Sequence, residues 1–460
     1  MTSSSAFFWD DDVRWQAYTR AFLEARKSRR DQVEIAADRL LDRLGLLIKE
    51  IANGQKDSSA AVFASLEEAF FEAAPLVAVC RDRLPRYQES WQALRAAVKR
   101  QSIGWDMSDS LDRRRLYRLL YGSRAAIEEA VLQGPGHHAR DVVLGSAALN
   151  PAVPTANLFG VQIQSGDILL SRGGAAVSAL IARGNDYSSN FSHVALARVH
   201  QDTGEASVIE AHIARGVMAT DATGYLKDKK MRFLVLRVRS DLPALLAEPQ
   251  LPHLAAEAAW AEAHSRHIPY DFQLDWTNSD RMFCSEVVSS AYQALGLRLW
   301  MAMSSISNPG LKRWLGLLGV TFFETQEPGD IAYDPQLAVV AEWADPDTLW
   351  KDHLDSVVTD VLLEGAERGD DLPFFWWKAV VVGPAKALSW LLNMVGRHGP
   401  VPEGMGVITA LRVAAFSKKH AALVVSVDRR ATAFEAEHGH RPAYWELLEL
   451  ARPSRPESRG

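Results

Sequence analysis

Between residues 33 and 51 the apolar positions Val33, Ala37, Leu40, Leu44, Leu47 and Ile51 recur in alternating steps of four and three. That spacing keeps one stripe of a helix apolar and predicts a coiled-coil-like seam, closed by a second helix of the same chain or by a partner helix. A second helical run covers about 58–101 and contains Pro75 and Pro85, which are expected to kink or interrupt it. A third runs from Ser108, a candidate N-cap, to about Gln133, and GPGHH (134–138) punctuates its end. Near residue 160 the period changes. GDILLSRG, SHVALARVH, ASVIEAHI and RFLVLRVRS are short apolar or alternating runs bounded by Gly, Asp and Ser, which predicts strands. A helix is expected over 280–296, with Asp280 as N-cap, Val287, Val288, Ala291 and Leu295 at helical spacing, and Gly296 as the stop. PGDIAYDP (328–335) reads as one more short strand. Helices return beyond about 341, and the tail ARPSRPESRG is too polar to pack and reads as disordered.

Length supports dividing this pattern, because 460 residues exceed one ordinary core. The division expected is a helical region over 1–150, an α+β block over 151–340 and a helical region over 341–460 ending in the tail. With 48% hydrophobic and 23% charged residues the chain is of ordinary globular composition. A net charge of −6 argues against a nucleic-acid partner, which would need a basic face. The N-terminus, MTSSSAFFWDDDVRW, lacks the basic start and apolar run of a signal peptide. No stretch reaches the roughly 18 to 20 apolar residues of a membrane span. The nearest, residues 372–396, is broken by Lys378, Lys386 and Gly383-Pro384. A cytoplasmic location is the default, with export by a route that reads no N-terminal signal left open.

The chain has two cysteines, Cys80 and Cys284, in unlike contexts, so both are expected to be free thiols. Phosphate-loop, nucleophile-elbow and HExxH motifs are absent. GPGHHA (134–139) fits GxGxxA on paper, but it contains Pro135 and follows a helix, so it reads as a linker. EHGH (437–440) lacks partners at zinc spacing and reads as a solvated loop.

Cys284 is the residue that chemistry would use. At a helix start, unpaired N–H groups and the helix dipole favour its thiolate, the nucleophilic form; a buried, inert Cys is the alternative. Such a thiol needs a base and a group to orient that base. His193 opens a predicted strand on the face of Ala195 and Ala197, whose small size leaves room for another element. On the next strand Glu210 can sit beside His193 and fix its tautomer, with His212 as the competing third member.

The ordered set SGDILLSRGG, YSSNFSHVALA, VIEAHIARGV and YDFQLDWTNSDRMFCSEVV resembles the YaeF/YiiX-like permuted papain-fold hydrolases of the NlpC/P60 superfamily, over roughly 160 to 340. In that group the His strand precedes the Cys helix, as here. The resemblance implies an α+β fold: a circularly permuted papain-like domain with a small antiparallel sheet packed on the Cys helix, flanked here by N- and C-terminal helical regions. It implies Cys284 as nucleophile, His193 as base and Glu210 as third polar residue, with no cofactor and no metal. Tyr270 is a candidate oxyanion donor or, equally, an aromatic wedge between strand and helix. Asp271, Asp280, Ser285 and Glu286 read as loop and cap residues.

The activity expected is cleavage of an amide or ester through a thioester, on a peptide, peptidoglycan-derived or lipid acyl substrate. A lipid-directed esterase or acyltransferase is the rival within enzymes. GLKRWLGLLGVTFF (310–323) and Phe374, Phe375, Trp376 and Trp377, flanked by Lys312, Arg313 and Lys378, would suit a peripheral membrane contact, or else core packing. An inactive papain-like binding module is the third reading. Oligomeric state is not fixed by the sequence.

Overall fold

The computed structural model describes residues 13–134, 142–158, 160–227, 230–300, 303–343, 345–371, 384, 386–389, 391–392, 399, 401–402 and 404–452. The aromatic run 374–377 with Lys378, most of GPGHH and the tail from 453 lie outside the described residues.

The 33–51 stripe forms the helix Arg30–Ala52, whose buried face is Val33, Ala37, Leu41, Leu44, Ile48 and Ile51. Leu40 and Leu47 lie half-buried at its margin. The helices Ala61–Val79 and Leu84–Ser102 cover it, so the seam closes within the chain. Pro75 does not interrupt its helix and lies inside Ala61–Val79. Pro85 sits in the first turn of the next helix, where its missing N–H would have had no partner. The third helix begins at Ser110, capped by Asp109 and not by Ser108: the Asp109 carboxylate accepts the N–H groups of Leu111 (2.7 Å) and Asp112 (3.2 Å). A carboxylate reaches these N–H groups and also complements the helix dipole.

The strands are β1 (Val142–Leu144), β2 (Thr155–Leu158), β3 (Val161–Gln164), β4 (Ile168–Gly173), β5 (His193–Val199), β6 (Ala206–His212), β7 (Gly216–Asp221), β8 (Lys230–Val238), β9 (Ser304–Ser305), β10 (Glu324–Thr325) and β11 (Leu337–Trp343). Seven form one sheet in the order β1-β11-β8-β4-β5-β6-β7, with every neighbouring pair antiparallel. The alternation along each strand sends Ile168, Leu170, Val194, Leu196, Ile209 and Leu234 to one face. That face buries the Cys helix, Cys284–Gln293, and the helix Leu251–Ser265, and its core runs on into the N-terminal helices. Leu169, Ala195, Ala197, Val208 and Val235 point to the other face, against the β2–β3 hairpin and Tyr225.

The C-terminal helices Pro346–Glu367, Val407–His438 and Tyr444–Ala451 pack around Val357, Val361, Phe416, Val427 and Leu447. Buried charges join them to the rest. Arg232 of β8 bonds both Glu128 of the N-terminal helices and Asp352 of the C-terminal ones. Arg183 holds Asp360 through two bonds of 2.8 and 2.9 Å. Such pairs need each other, since removing one partner strands a buried charge.

Several expectations are corrected. PGDIAYDP is the helix Pro328–Tyr333, because Pro328 fits a first turn and Asp330 turns back to accept the Glu327 N–H (2.8 Å); the strand follows it as β11. Asp280 does not cap the Cys helix: the N-cap is Phe283, and Asp280 is exposed beside Arg266. EHGH begins within the last turn of the helix ending at His438. Among the described residues no helix is long and apolar enough to cross a membrane.

Candidate active site

His193 is the first residue of β5, paired across to Ser171 of β4. On the other side Ala195 faces Glu210 of β6, so Glu210 is the diagonal neighbour of His193 on the same face of the sheet. Their side chains meet, with Nε2 of His193 2.5 Å from Oε2 of Glu210. His212, the other candidate for that role, instead accepts the Ala214 N–H at its own Nδ1 (3.2 Å). Ala195 and Ala197, expected to leave room for another element, face the β2–β3 hairpin and Tyr225, away from the Cys helix. The helix packs on Val194, Leu196 and Ile209, and His193 reaches the Cys from the open end of its strand.

Cys284 is the first residue of its helix and is 4% exposed. Burial pushes its thiol up, but the neighbouring His193 ring and the Val194 N–H outweigh that and bring it below its ordinary value. Burial lowers His193 in turn, and the interactions with Cys284 and Glu210 overcome this and raise it to about 9. Glu210 is raised by burial and lowered more strongly by His193, so it ends below its usual range. These shifts favour thiolate, imidazolium and carboxylate together. With Nε2 engaged by Glu210, Nδ1 is the ring nitrogen left for sulfur.

Tyr270 forms a parallel bridge with Met282, two residues ahead of Cys284. The Asp271 N–H donates to Met282 O (3.0 Å) and the Met282 N–H to Pro269 O (3.1 Å). The phenol is therefore held at the entry to the Cys helix. Burial and the Cys284 charge keep it well above its ordinary pKa, hence a neutral donor. Its ring also packs against Phe272 at 5.0 Å, so both roles considered from the sequence remain compatible with its position.

A histidine that opens one strand, a glutamate on the next, and a cysteine that begins a later helix reverse the papain order along the chain. Residues 162–341 match the family described as permuted papain-like amidase enzyme, YaeF/YiiX, C92 family. The antiparallel sheet flanked by helices is the α+β architecture of a permuted papain-like domain, and an amidase-like enzyme is the family-level reading. The helices up to Gln133 and those from Pro346 onward fall outside the YaeF/YiiX match. A solved structure titled "Crystal structure of metalloprotein yiiX from Escherichia coli O157:H7, DUF1105" is similar over 39% of this chain and 97% of its own, at 24% identity and a TM-score of 0.32. No curated protein matches the chain.

Asp271 organises its loop, accepting the N–H groups of Gln273 (2.9 Å) and Asp275 (2.6 Å). Glu286, expected to be a cap residue, is buried in the first turn after Cys284, and desolvation pushes it up to about 8. Glu327 was not singled out by sequence. It is buried, raised by desolvation, and feels the charges of Asp330 and Cys284. Only the fold brings it near Cys284, and no spacing signal could have found it. Among the described residues no group of three or more His, Cys, Asp or Glu side chains is placed to hold a metal ion.

Proposed function

We propose that this protein is a cysteine amidase in which Cys284, His193 and Glu210 act as nucleophile, base and orienting carboxylate. The observation that carries the reading is the 2.5 Å His193–Glu210 contact beside a thiol shifted toward its anion. The Cys284 thiolate attacks the carbonyl carbon, forming a C–S bond and an oxyanion. The helix-start N–H of Cys284 and the Tyr270 hydroxyl are the proposed oxyanion donors. Imidazolium His193 gives its proton to the departing nitrogen as the C–N bond breaks. Neutral His193 then takes a proton from water, whose oxygen attacks the thioester and releases the acid and the thiolate.

The family description, a permuted papain-like amidase, supports an amide substrate; peptide and peptidoglycan-derived amides are the candidates proposed here. Ester cleavage or acyl transfer would use the same atoms. Residues 151–340 are proposed as the hydrolase unit, with the regions 1–150 and 341–460 as its arms. The test is turnover of amide substrates together with mass spectrometry of the intact protein. A Cys284-linked acyl adduct in the wild type, and neither adduct nor turnover in Cys284→Ala, is expected. Turnover that survives Cys284→Ala would refute the mechanism, and absence of adduct and turnover across peptide, ester and lipid substrates would favour a binding module.

A further inference from the structure

At the end of the sheet far from His193 lies an open cavity of about 170 Å³. Strand register fixes that placement. Ser171 of β4 pairs with His193 on one side and with Phe233 on the other, and β8 runs away from there to Val238, opposite Leu337 of β11. Val238 and Leu337 contribute to the cavity wall, and Arg95, Lys99 and Arg100 reach it from the helix Leu84–Ser102. The cavity thus lies between the N-terminal region and the sheet, away from Cys284.

Its charge is one-sided. Five basic side chains line it, Arg237 and Arg239 being the other two, against one carboxylate, Asp241. Arg237 is paired with Asp167 through bonds of 2.8 and 2.7 Å, and Arg239 with Asp241 through bonds of 3.0 and 2.6 Å. The remaining three keep donors in hand. Arg95 is 4% exposed and donates to Glu342 (2.6 Å), but Glu342 also serves Arg124, and the buried Nε of Arg95 has no hydrogen-bond partner among the described residues. Lys99 is 2% exposed and donates one N–H to Asp334 O (3.0 Å), which leaves two of its three donors. The exposed Arg100 guanidinium makes no hydrogen bond among the described residues. Burial, with the charges of Arg95, Arg124 and Arg239, brings Lys99 down to about 7 against the pull of Asp334. An anion seated here would supply the missing acceptors and restore the Lys99 charge.

We propose that this cavity binds a phosphate group, as the free ion or as a phosphomonoester, through Arg95, Lys99 and Arg100. Arg95 and Lys99 stand four residues apart on one helix face, so their donors converge on one ligand. A phosphomonoester carries a charge of about −1.5 to −2 near pH 7 and three strong acceptor oxygens, which suits several donors better than a singly charged, planar carboxylate does. Because the three residues belong to the N-terminal region and the rest of the wall includes β8 and β11, the bound anion fastens that region to the sheet. The site makes no use of Cys284 and stands whether or not that thiol is catalytic.

Calorimetry on the full chain tests this, at fixed ionic strength in chloride, with inorganic phosphate, glycerol 3-phosphate and acetate as probes. Co-sedimentation with phosphatidylcholine vesicles, with and without phosphatidic acid, covers a phosphomonoester carried by a lipid. Phosphate or its ester should bind at one site per chain. Arg100→Gln removes an exposed charge and should weaken binding about two- to fivefold. Lys99→Met removes a buried donor and should weaken it about tenfold or more. Arg29→Gln, an exposed charge of another helix, should leave it unchanged. Each variant is checked for a native unfolding curve, and Arg100→Gln, which breaks no hydrogen bond, carries the test if Lys99→Met does not fold. Binding of the soluble probes assigns a soluble ligand. Sedimentation with phosphatidic acid alone, reduced in Arg100→Gln, assigns a lipid headgroup. No binding of any phosphate probe, or binding unchanged in Arg100→Gln, would overturn the site, and acetate bound as tightly as phosphate would overturn the phosphate assignment.

Discussion

Replacing Glu210 by Gln keeps the shape of the site and removes the charge that faces His193. The contact is 2.5 Å long, and the side chains are 8% and 23% exposed for Glu210 and His193, so solvent screens it little. A hydrogen bond to a charged partner contributes about 1.5–3 kcal/mol net, equivalent to about one to two pKa units. His193 should therefore fall from about 9 by that amount, and the thiolate–imidazolium pair should become about ten- to a hundredfold less populated near neutral pH. The assay is iodoacetamide alkylation of Cys284 across pH in wild type, Glu210→Gln and His193→Ala. Cys80 is fully buried, and burial raises its thiol, so it competes little. Wild-type labelling should persist well below the free-thiol value of about 8.5, Glu210→Gln should move the profile upward, and His193→Ala should move it further. If Glu210→Gln labels with the wild-type profile, Glu210 does not support the imidazolium, and the three-residue account fails.

Tyr270→Phe should lower kcat by about 10- to 1000-fold with little change in KM, while leaving alkylation of Cys284 intact; loss of labelling instead would show that the ring only props the helix. Arg232→Met strands Glu128 and Asp352 and should cost about 3–5 kcal/mol in urea unfolding, with the C-terminal helices gaining protease sensitivity first. Burial lowers His420 to about 4, so its neutral form is the folded one and its contribution is complete above about 6.5. As pH falls from there toward 4 the unfolded chain binds the extra proton, and about 3 kcal/mol is lost. Comparing unfolding at pH 7 and pH 4.5 should therefore show a shallower loss in His420→Gln than in wild type, and parallel losses would contradict it. Gly216 has φ +72, and a Cβ there would lie 2.1 Å from Ile268 O, on the segment that leads to Tyr270. Gly216→Ala should thus destabilise the protein by more than about 1 kcal/mol, and a neutral effect in chemical denaturation would refute the close approach.

The strands at 168–173, 193–199, 206–212 and 230–238 were legible as short apolar runs bounded by Gly, Asp and Ser, because strands covered on both faces are apolar almost residue by residue. The thiol at a helix start, and a His and a Glu on successive strands, were legible for the same local reason. Helix starts were less so: Asp109 over Ser108 and Phe283 over Asp280 depend on which backbone N–H groups remain free, a matter of the chain's path. PGDIAYDP shows how a short apolar run carries too little period to separate strand from helix.

What the sequence determined by itself is the N-terminal helical runs, the strands at 168–173, 193–199, 206–212 and 230–238, the Cys helix, and the order His193, Glu210, Cys284, since each rests on contacts a few residues apart or on motif order. The tertiary structure decided which face the Cys helix covers, that His193 reaches it around the end of β5, and that Glu210 rather than His212 takes the imidazole nitrogen. It also brought Glu327, Val413 and Phe416 to the neighbourhood of Tyr270. These contacts join residues from 17 positions apart, for His193 and Glu210, to 146 apart, for Tyr270 and Phe416. They are set by strand register and by the packing of the C-terminal helices, and no local pattern encodes either one.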